Sequence, residues 1–192
     1  MQSPAKVAAR DRLLTARGRR PLTEVGDAAR AIAEHLLAEP ALRRAATVAA
    51  YVSMNGEPGT GRLLDALRTA GKRVIVPQLL PDGDLDWATY AGPESLAPAR
   101  FGLLEPTGTP LGPDAIATAD VVLVPALAVS ATGVRLGRGG GSYDRALGRV
   151  PVGTFTCALL YDEEVGLDIP VEPHDRPVGF AATPAGIRPL PG

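Results

Sequence analysis

The stretch that most constrains this chain runs from Asp120 to Leu147, DVVLVPALAVSATGVRLGRGGGSYDRAL. Val121 to Pro125 is an almost unbroken apolar run, which predicts a parallel strand buried on both faces. The chain then becomes a cationic loop dense in glycine, with Gly133, Arg135, Gly137, Arg138, Gly139, Gly140 and Gly141 in quick succession. Ser142, Tyr143, Asp144 and Arg145 follow and read as the start of a short helix. Ser142 is placed to cap that helix, and Asp144 suits its positive dipole end. A strand, a donor-rich loop and a helix N-terminus in sequence are how proteins build an anion site.

Glycines let the backbone approach a ligand closely and turn several N–H groups toward it. Arginine adds planar, forked donors that match phosphate or carboxylate oxygens. An acidic residue beside such a loop would repel an anion unless a cation stood between them, and Mg²⁺ is commonly held by one or two carboxylates plus phosphate oxygens. The composite reading is a nucleotide phosphate with magnesium, Asp144 being one metal ligand. On the residues alone a plain solvated connection stays open as the alternative. No Lys-Ser/Thr pair follows the glycines as in a P-loop, and Ser142 stands where a dinucleotide fingerprint needs its third glycine.

The string Val124-Pro125, then Gly133-Val-Arg-Leu-Gly-Arg-Gly-Gly-Gly-Ser-Tyr-Asp-Arg145, resembles the signature of the 5-formyltetrahydrofolate cyclo-ligase family, approximately G-x-R-L-G-x-G-x-G-Y-Y-D. One departure is that Ser142 replaces the first aromatic of the usual Tyr-Tyr-Asp. Further segments carry the same likeness: Lys6 and Arg10 near the N-terminus, Ser53-Met54 with Glu57 and Thr60, Phe101-Gly-Leu-Leu-Glu-Pro106, and Glu172 with His174-Asp175. It spans about Lys6 to Ile187.

The resemblance implies a three-layer α/β/α architecture with a mostly parallel central sheet, and an ATP-dependent ring closure of 5-formyltetrahydrofolate. It implies ATP contacts from Lys6, Arg10, Arg135, Leu136, Gly137, Arg138, Gly139, Gly140, Gly141, Ser142 and Tyr143. Arg138 and Asp144 are the implied catalytic pair, with Mg²⁺ held by Asp144 and Asp175. Val52 and Glu57 are implied to meet the folate. Two other readings are a non-catalytic ATP- or folate-binding module of the same fold, and an ATP-dependent enzyme for another formamide-like substrate.

The remaining residues fit one domain over residues 1–192. With 192 residues, 45% of them hydrophobic, the chain can bury one substantial core. A net charge of −1 gives no global reason to expect nucleic acid or an anionic membrane as partner. The single cysteine, Cys157, lies in an apolar run and excludes an internal disulfide. A reducing cytoplasm and an inert thiol are expected, in a monomer. Lys6, Arg10, Asp11 and Arg12 argue against a signal peptide.

Apolar strands alternating with helical patterns predict a βαβ organisation. Helices are expected over Pro4 to Arg19, with Val7, Ala8, Leu13 and Leu14 at helical spacing, over Val25 to Leu37, and around Leu63 to Leu67. Strands are expected over Thr47 to Ser53, Arg73 to Pro77, Val121 to Pro125, Val152 to Leu160 and Phe180 to Thr183. An edge strand is expected over Leu85 to Tyr90, with Trp87 half-buried. Phe101 is a candidate wall of the substrate pocket, His174 a candidate proton-transfer group, and the tail from Pro184 is left without an assignment.

Overall fold

A computed structural model describes residues 3–191. The sheet begins with three strands, β1 (Thr47–Ala49), β2 (Arg73–Leu79) and β3 (Leu85–Thr89). A small ribbon, β4 (Leu96–Pro98) with β5 (Leu104–Pro106), follows. The chain then returns through β6 (Val121–Pro125), the hairpin β7 (Ala128–Val129) and β8 (Arg135–Leu136), and the strands β9 (Phe155–Leu159), β10 (Phe180–Thr183) and β11 (Gly186–Pro189).

Seven of these form the central sheet in the order β11-β10-β9-β6-β1-β2-β3. Its five inner strands, β10 to β2, are parallel, and both edge strands are antiparallel to their neighbours. The expected mostly parallel sheet is therefore present. Strand order reverses between β1 and β6, the point of an open parallel sheet where a crevice forms outside the carboxyl ends.

Period-two alternation divides each strand between two apolar layers. Val48, Val74, Val121, Leu123 and Cys157 face one side, where they meet Ile32 and Leu36 of α2 (Leu22–Ala38), Leu42 of α3 (Pro40–Arg44) and Leu63, Leu64 and Leu67 of α4 (Gly61–Thr69). Ala49, Ile75, Val122, Val124 and Ala158 face the other side. There Ala146 and Leu147 of α5 (Ser142–Leu147) and Ile116 of a 3₁₀ segment cover them. This is the three-layer arrangement. Among the described residues, no helix is long and apolar enough to cross a membrane.

Helix α1 (Pro4–Gly18) packs differently. Only Leu13 gives it a buried apolar anchor, set against Leu127, Ala128, Val134, Leu136 and Ile169. The other buried side chains on α1 are Lys6 and Arg17, while Val7, one of the apolar residues at helical spacing, is exposed, so the inward face of this basic helix carries charge. Arg17 donates from Nε and Nη2 to Glu164 at 2.8 and 2.7 Å, and also to the Ala126 carbonyl at 2.7 Å.

Several sequence expectations need correction. β1 ends at Ala49 rather than Ser53, because Thr60 Oγ1 donates to the Tyr51 carbonyl and accepts from the Ser53 amide, which takes both groups out of any ladder. β9 starts only at Phe155, after a turn in which Thr154 N–H bonds Pro151 and Val152 is fully exposed. Helix α2 begins at Leu22, and Pro40 starts α3 as well as ending α2, with Glu39 Oε1 accepting from Ala41 N–H. Trp87 is fully buried because α5 and the 3₁₀ segment close over the edge strand, so it cannot meet a ligand. The tail forms β11.

Cys157 lies in β9 with no exposed surface, and burial pushes its thiol pKa well up. Native protein is expected to leave a thiol reagent unconsumed, and unfolded protein to take up one equivalent. Rapid native labelling would contradict the burial.

Candidate active site

The loops that leave β1 and β6 at the strand-order reversal build the crevice. After β1, Ser53 and Thr60 exchange side-chain hydrogen bonds with each other's amide, at 2.9 and 3.0 Å. Glu57 Oε2 accepts from Met54 N–H at 2.7 Å. The spacing of Ser53, Met54, Glu57 and Thr60 is thus first a folded turn, and it leaves Glu57 buried with Oε1 facing the Arg138 guanidinium at 3.4 Å.

After β6 the β7–β8 hairpin delivers the glycine loop, residues 137–141, to the start of α5. Gly141, at φ 68°, is the residue that caps α5. Ser142 is its first helical residue and makes no side-chain cap, so the expected capping hydroxyl is replaced by a left-handed glycine that a β-carbon would strain. At Gly137 a β-carbon would lie 2.6 Å from Arg135 Nη1, so the loop folds tightly over that side chain.

Arg135 is buried beneath the loop. Its Nη2 donates to Asp144 Oδ1 and its Nη1 to the Pro125 carbonyl, both at 3.3 Å, while Nε has no partner among the described residues. Burial pulls its pKa down, and the Asp144 charge opposes that shift. Asp144 Oδ1 also accepts from Arg176 N–H at 3.2 Å.

From α1, Lys6 Nζ donates to Asp175 Oδ1 and Oδ2 at 2.9 and 2.8 Å and to Glu172 Oε2 at 2.8 Å. Burial works against the ammonium, but the bonds and charges of Asp175 and Glu172 outweigh it and raise its pKa overall. Arg10 Nε donates to the Gly137 carbonyl at 2.9 Å. Residues distant in sequence therefore converge as expected: Lys6, Arg10, Asp144 and Asp175 with the glycine loop.

Two cavities share that loop as a wall. One, of about 630 Å³, is polar and cationic, lined by Lys6, Arg10, Arg135, Leu136, Asp144, Asp175 and the glycines, with Arg145, Arg149 and Arg176 beside them. The other, of about 510 Å³, is mainly apolar, lined by Tyr51, Val52, Met54, Glu57, Leu79, Phe101, Leu104 and Leu127, and by Arg138, Ser142 and Tyr143. Arg138, Ser142 and Tyr143, expected on the nucleotide, stand on the apolar side; Lys6, Arg10 and Leu136 stand on the polar side, and Arg135 with the loop glycines lines both.

Phe101, left-handed at φ 59° and largely exposed, stands at the apolar cavity as anticipated. No site role was expected for Tyr51, Arg145, Arg149, Glu172 or Arg176, which line the two cavities. The i,i+4 spacing of Arg145 and Arg149 was the available signal.

Asp144, His174 and Asp175 each offer one ligand atom, and these atoms lie within 4.8 Å of one another. Carboxylate oxygens suit a hard divalent cation, and the adjoining cationic cavity suits its phosphate partner. His174 is exposed, with Nε2 at 3.5 Å from Glu172 Oε2.

The model of the 5-formyltetrahydrofolate cyclo-ligase family matches residues 2–184. A 5-formyltetrahydrofolate cyclo-ligase of Mycolicibacterium smegmatis is 43% identical over 143 residues, covering 72% of this chain and 73% of that one. One from Escherichia coli is 32% identical over 158 residues, covering 81% and 87%. The solution structure of Aquifex aeolicus 5,10-methenyltetrahydrofolate synthetase superposes with a TM-score of 0.82 at 26% identity, covering 97% of this chain and 93% of that chain.

Proposed function

The chain belongs to the 5-formyltetrahydrofolate cyclo-ligase family, and from that premise we propose how its two cavities divide the reaction. The enzyme cyclises 5-formyltetrahydrofolate to 5,10-methenyltetrahydrofolate at the expense of ATP. The observation that carries the division is the glycine loop acting as a common wall between a cationic cavity and an apolar one. The first takes the ATP phosphates, and the second takes the reduced pterin and the ring that follows it.

The formamide at N5 is a poor electrophile, because nitrogen donates into the carbonyl. Transfer of the γ-phosphoryl to the formyl oxygen converts that oxygen into a leaving group. N10 then attacks the formyl carbon, and phosphate departs with ADP left behind. No side chain needs to act as a nucleophile, so the protein contributes position and charge. Lys6, Arg10, Arg145 and the loop amides gather the phosphates. Glu57 holds the pterin with Val52 beside it, and Arg138 faces the boundary where the formyl oxygen meets the phosphoryl group.

Asp144 and Asp175 would hold Mg²⁺, with His174 beside them. When bound, the ion neutralises phosphate charge. Lys6 now fills the Asp175 carboxylate, so nucleotide phosphates that draw its ammonium away would free that ligand. We further propose that the whole chain acts as a single-domain monomer in the cytoplasm, without nucleic-acid or membrane partners.

The test is the rise of methenyl absorbance when purified protein is mixed with 5-formyltetrahydrofolate, Mg²⁺ and ATP. An ATP-dependent rise is expected, and its absence under conditions where both ligands bind would overturn the reading. Arg138→Ala is expected to raise the KM for folate by up to about fivefold. Its pair with Glu57 is long and half-exposed, and such pairs contribute roughly 0.2–1 kcal/mol. A change confined to the KM for ATP would return Arg138 to the phosphate side.

A further inference from the structure

Tyr51, two residues beyond β1, lines the apolar cavity beside Val52 and Glu57 while packing into the buried layer of Val48 and Cys157. The residue is 3% exposed, and its hydroxyl has no hydrogen-bond partner among the described residues. That is an expensive arrangement, because a buried polar atom left unpaired forfeits its hydration and gains nothing in return. A phenylalanine would fill the same volume without that cost.

Glu57, Tyr143, Arg17 and Cys157 act electrostatically on the hydroxyl, and the first two line the same cavity. Burial, reinforced by the negative charge of Glu57, raises the phenol's pKa well above its ordinary value. It therefore stays an O–H donor at any pH where the enzyme works. The ligand assigned to this cavity offers a matching need. A carboxylate such as Glu57 accepts hydrogen bonds, so it pairs with the N–H groups of a pterin's amide and amino edge. The carbonyl oxygen O4 and the ring nitrogen N1, which flank those groups, are acceptors and require a donor.

We propose that Tyr51 is a specificity-determining residue whose hydroxyl donates to a pterin acceptor atom, O4 or N1, beside the carboxylate of Glu57. The donor is left unpaired in the empty protein and satisfied by substrate. This rests on the assignment of the apolar cavity to folate. It also accounts for a polar atom within an otherwise apolar wall, since a site built to satisfy a specific hydrogen bond rejects ligands that lack the partner.

The experiment compares wild type with Tyr51→Phe by calorimetric titration of 5-formyltetrahydrofolate without ATP, by the KM for each substrate, and by the Tm of ligand-free protein. The expected result is a Kd and KM for folate raised about five- to tenfold, an unmoved KM for ATP, and a Tm equal to or above that of wild type. Unchanged folate affinity would overturn the proposal and leave the hydroxyl to a buried water. A lowered Tm with both KM values raised would overturn it too, as the mark of a purely structural role. If wild type binds folate but shows no turnover, the ring-closure reading fails, and the Kd comparison still decides the role of Tyr51.

Discussion

Asp144→Asn is expected to lower kcat by about a hundredfold or more, the scale of losing one charge-stabilising group in a preorganised site, while folate affinity changes little. Asparagine keeps an oxygen that can accept from Arg135 Nη2 and Arg176 N–H, now bonded to Oδ1 at 3.3 and 3.2 Å, but it removes the negative charge. That charge is one of two carboxylates positioned to hold a divalent cation, and it also offsets the guanidinium of buried Arg135. Asp144 lines the polar cavity and not the apolar one, so the loss should fall on turnover. Steady-state kinetics with folate titration in the same buffer would check this. Equal losses in kcat and folate affinity would count against placing the cation at Asp144. A modest fall in Tm is expected as well, because the Arg135 charge loses its partner.

The second large effect concerns stability. Glu164→Ala is expected to destabilise the fold by about 3–5 kcal/mol, because it leaves the Arg17 guanidinium buried without its carboxylate. Both side chains are 3% exposed, and the pair is bidentate. Glu164 Oε2 also accepts from Tyr161 N–H at 2.9 Å, and Tyr161 donates from its hydroxyl to the Gly56 carbonyl, so the damage would spread to the loop that carries Glu57. A double change, Arg17→Met with Glu164→Leu, should recover much of the loss by replacing the pair with apolar packing. Urea unfolding of the three proteins would measure it. A single variant as stable as wild type would mean that water reaches the pair.

The sheet was legible in the sequence wherever a strand was buried on both faces. Val121 to Pro125 declared itself because each residue had to be apolar, whereas the Gly186–Pro189 edge strand showed no pattern, since one side of it faces solvent. Short strands were overrun for a different reason. Val48 to Val52 is an unbroken run of apolar and aromatic residues, but the end of the segment is tied into the Ser53–Thr60 turn, a contact seven residues apart that no period reports. The carboxylates and cations of the site were recoverable from motif resemblance. Their division between two cavities was not, because the side of a glycine loop to which a side chain turns depends on left-handed glycines at 139 and 141. Arg17 and Glu164 were invisible for a related reason: a charged residue on a helix reads as solvated until its partner, 147 positions away, is placed against it.

Helix α1 reaches both cavities. Lys6 and Arg10 border the cationic one, and Arg17 braces the Ala126 carbonyl at the edge of the other. It is fastened chiefly by charge, so it is a strap whose buckle is titratable. Lys6 holds the Glu172 carboxyl below the usual carboxylate range, through a hydrogen bond first and its charge second. The stabilisation from that lowered pKa is fully present above the ordinary carboxylate value of about 4.3 and is lost as pH falls through the folded value. Lys6, with its raised pKa, keeps its own contribution throughout neutral pH and gives it up only on the alkaline side. Acid below about pH 4.3 should therefore slacken the N-terminal end of α1 while the apolar layers of the sheet, which contain no carboxylates, stay closed. Activity is expected to disappear at a higher pH than far-ultraviolet circular dichroism does, and coincident transitions would show the strap and the sheet to be one cooperative unit.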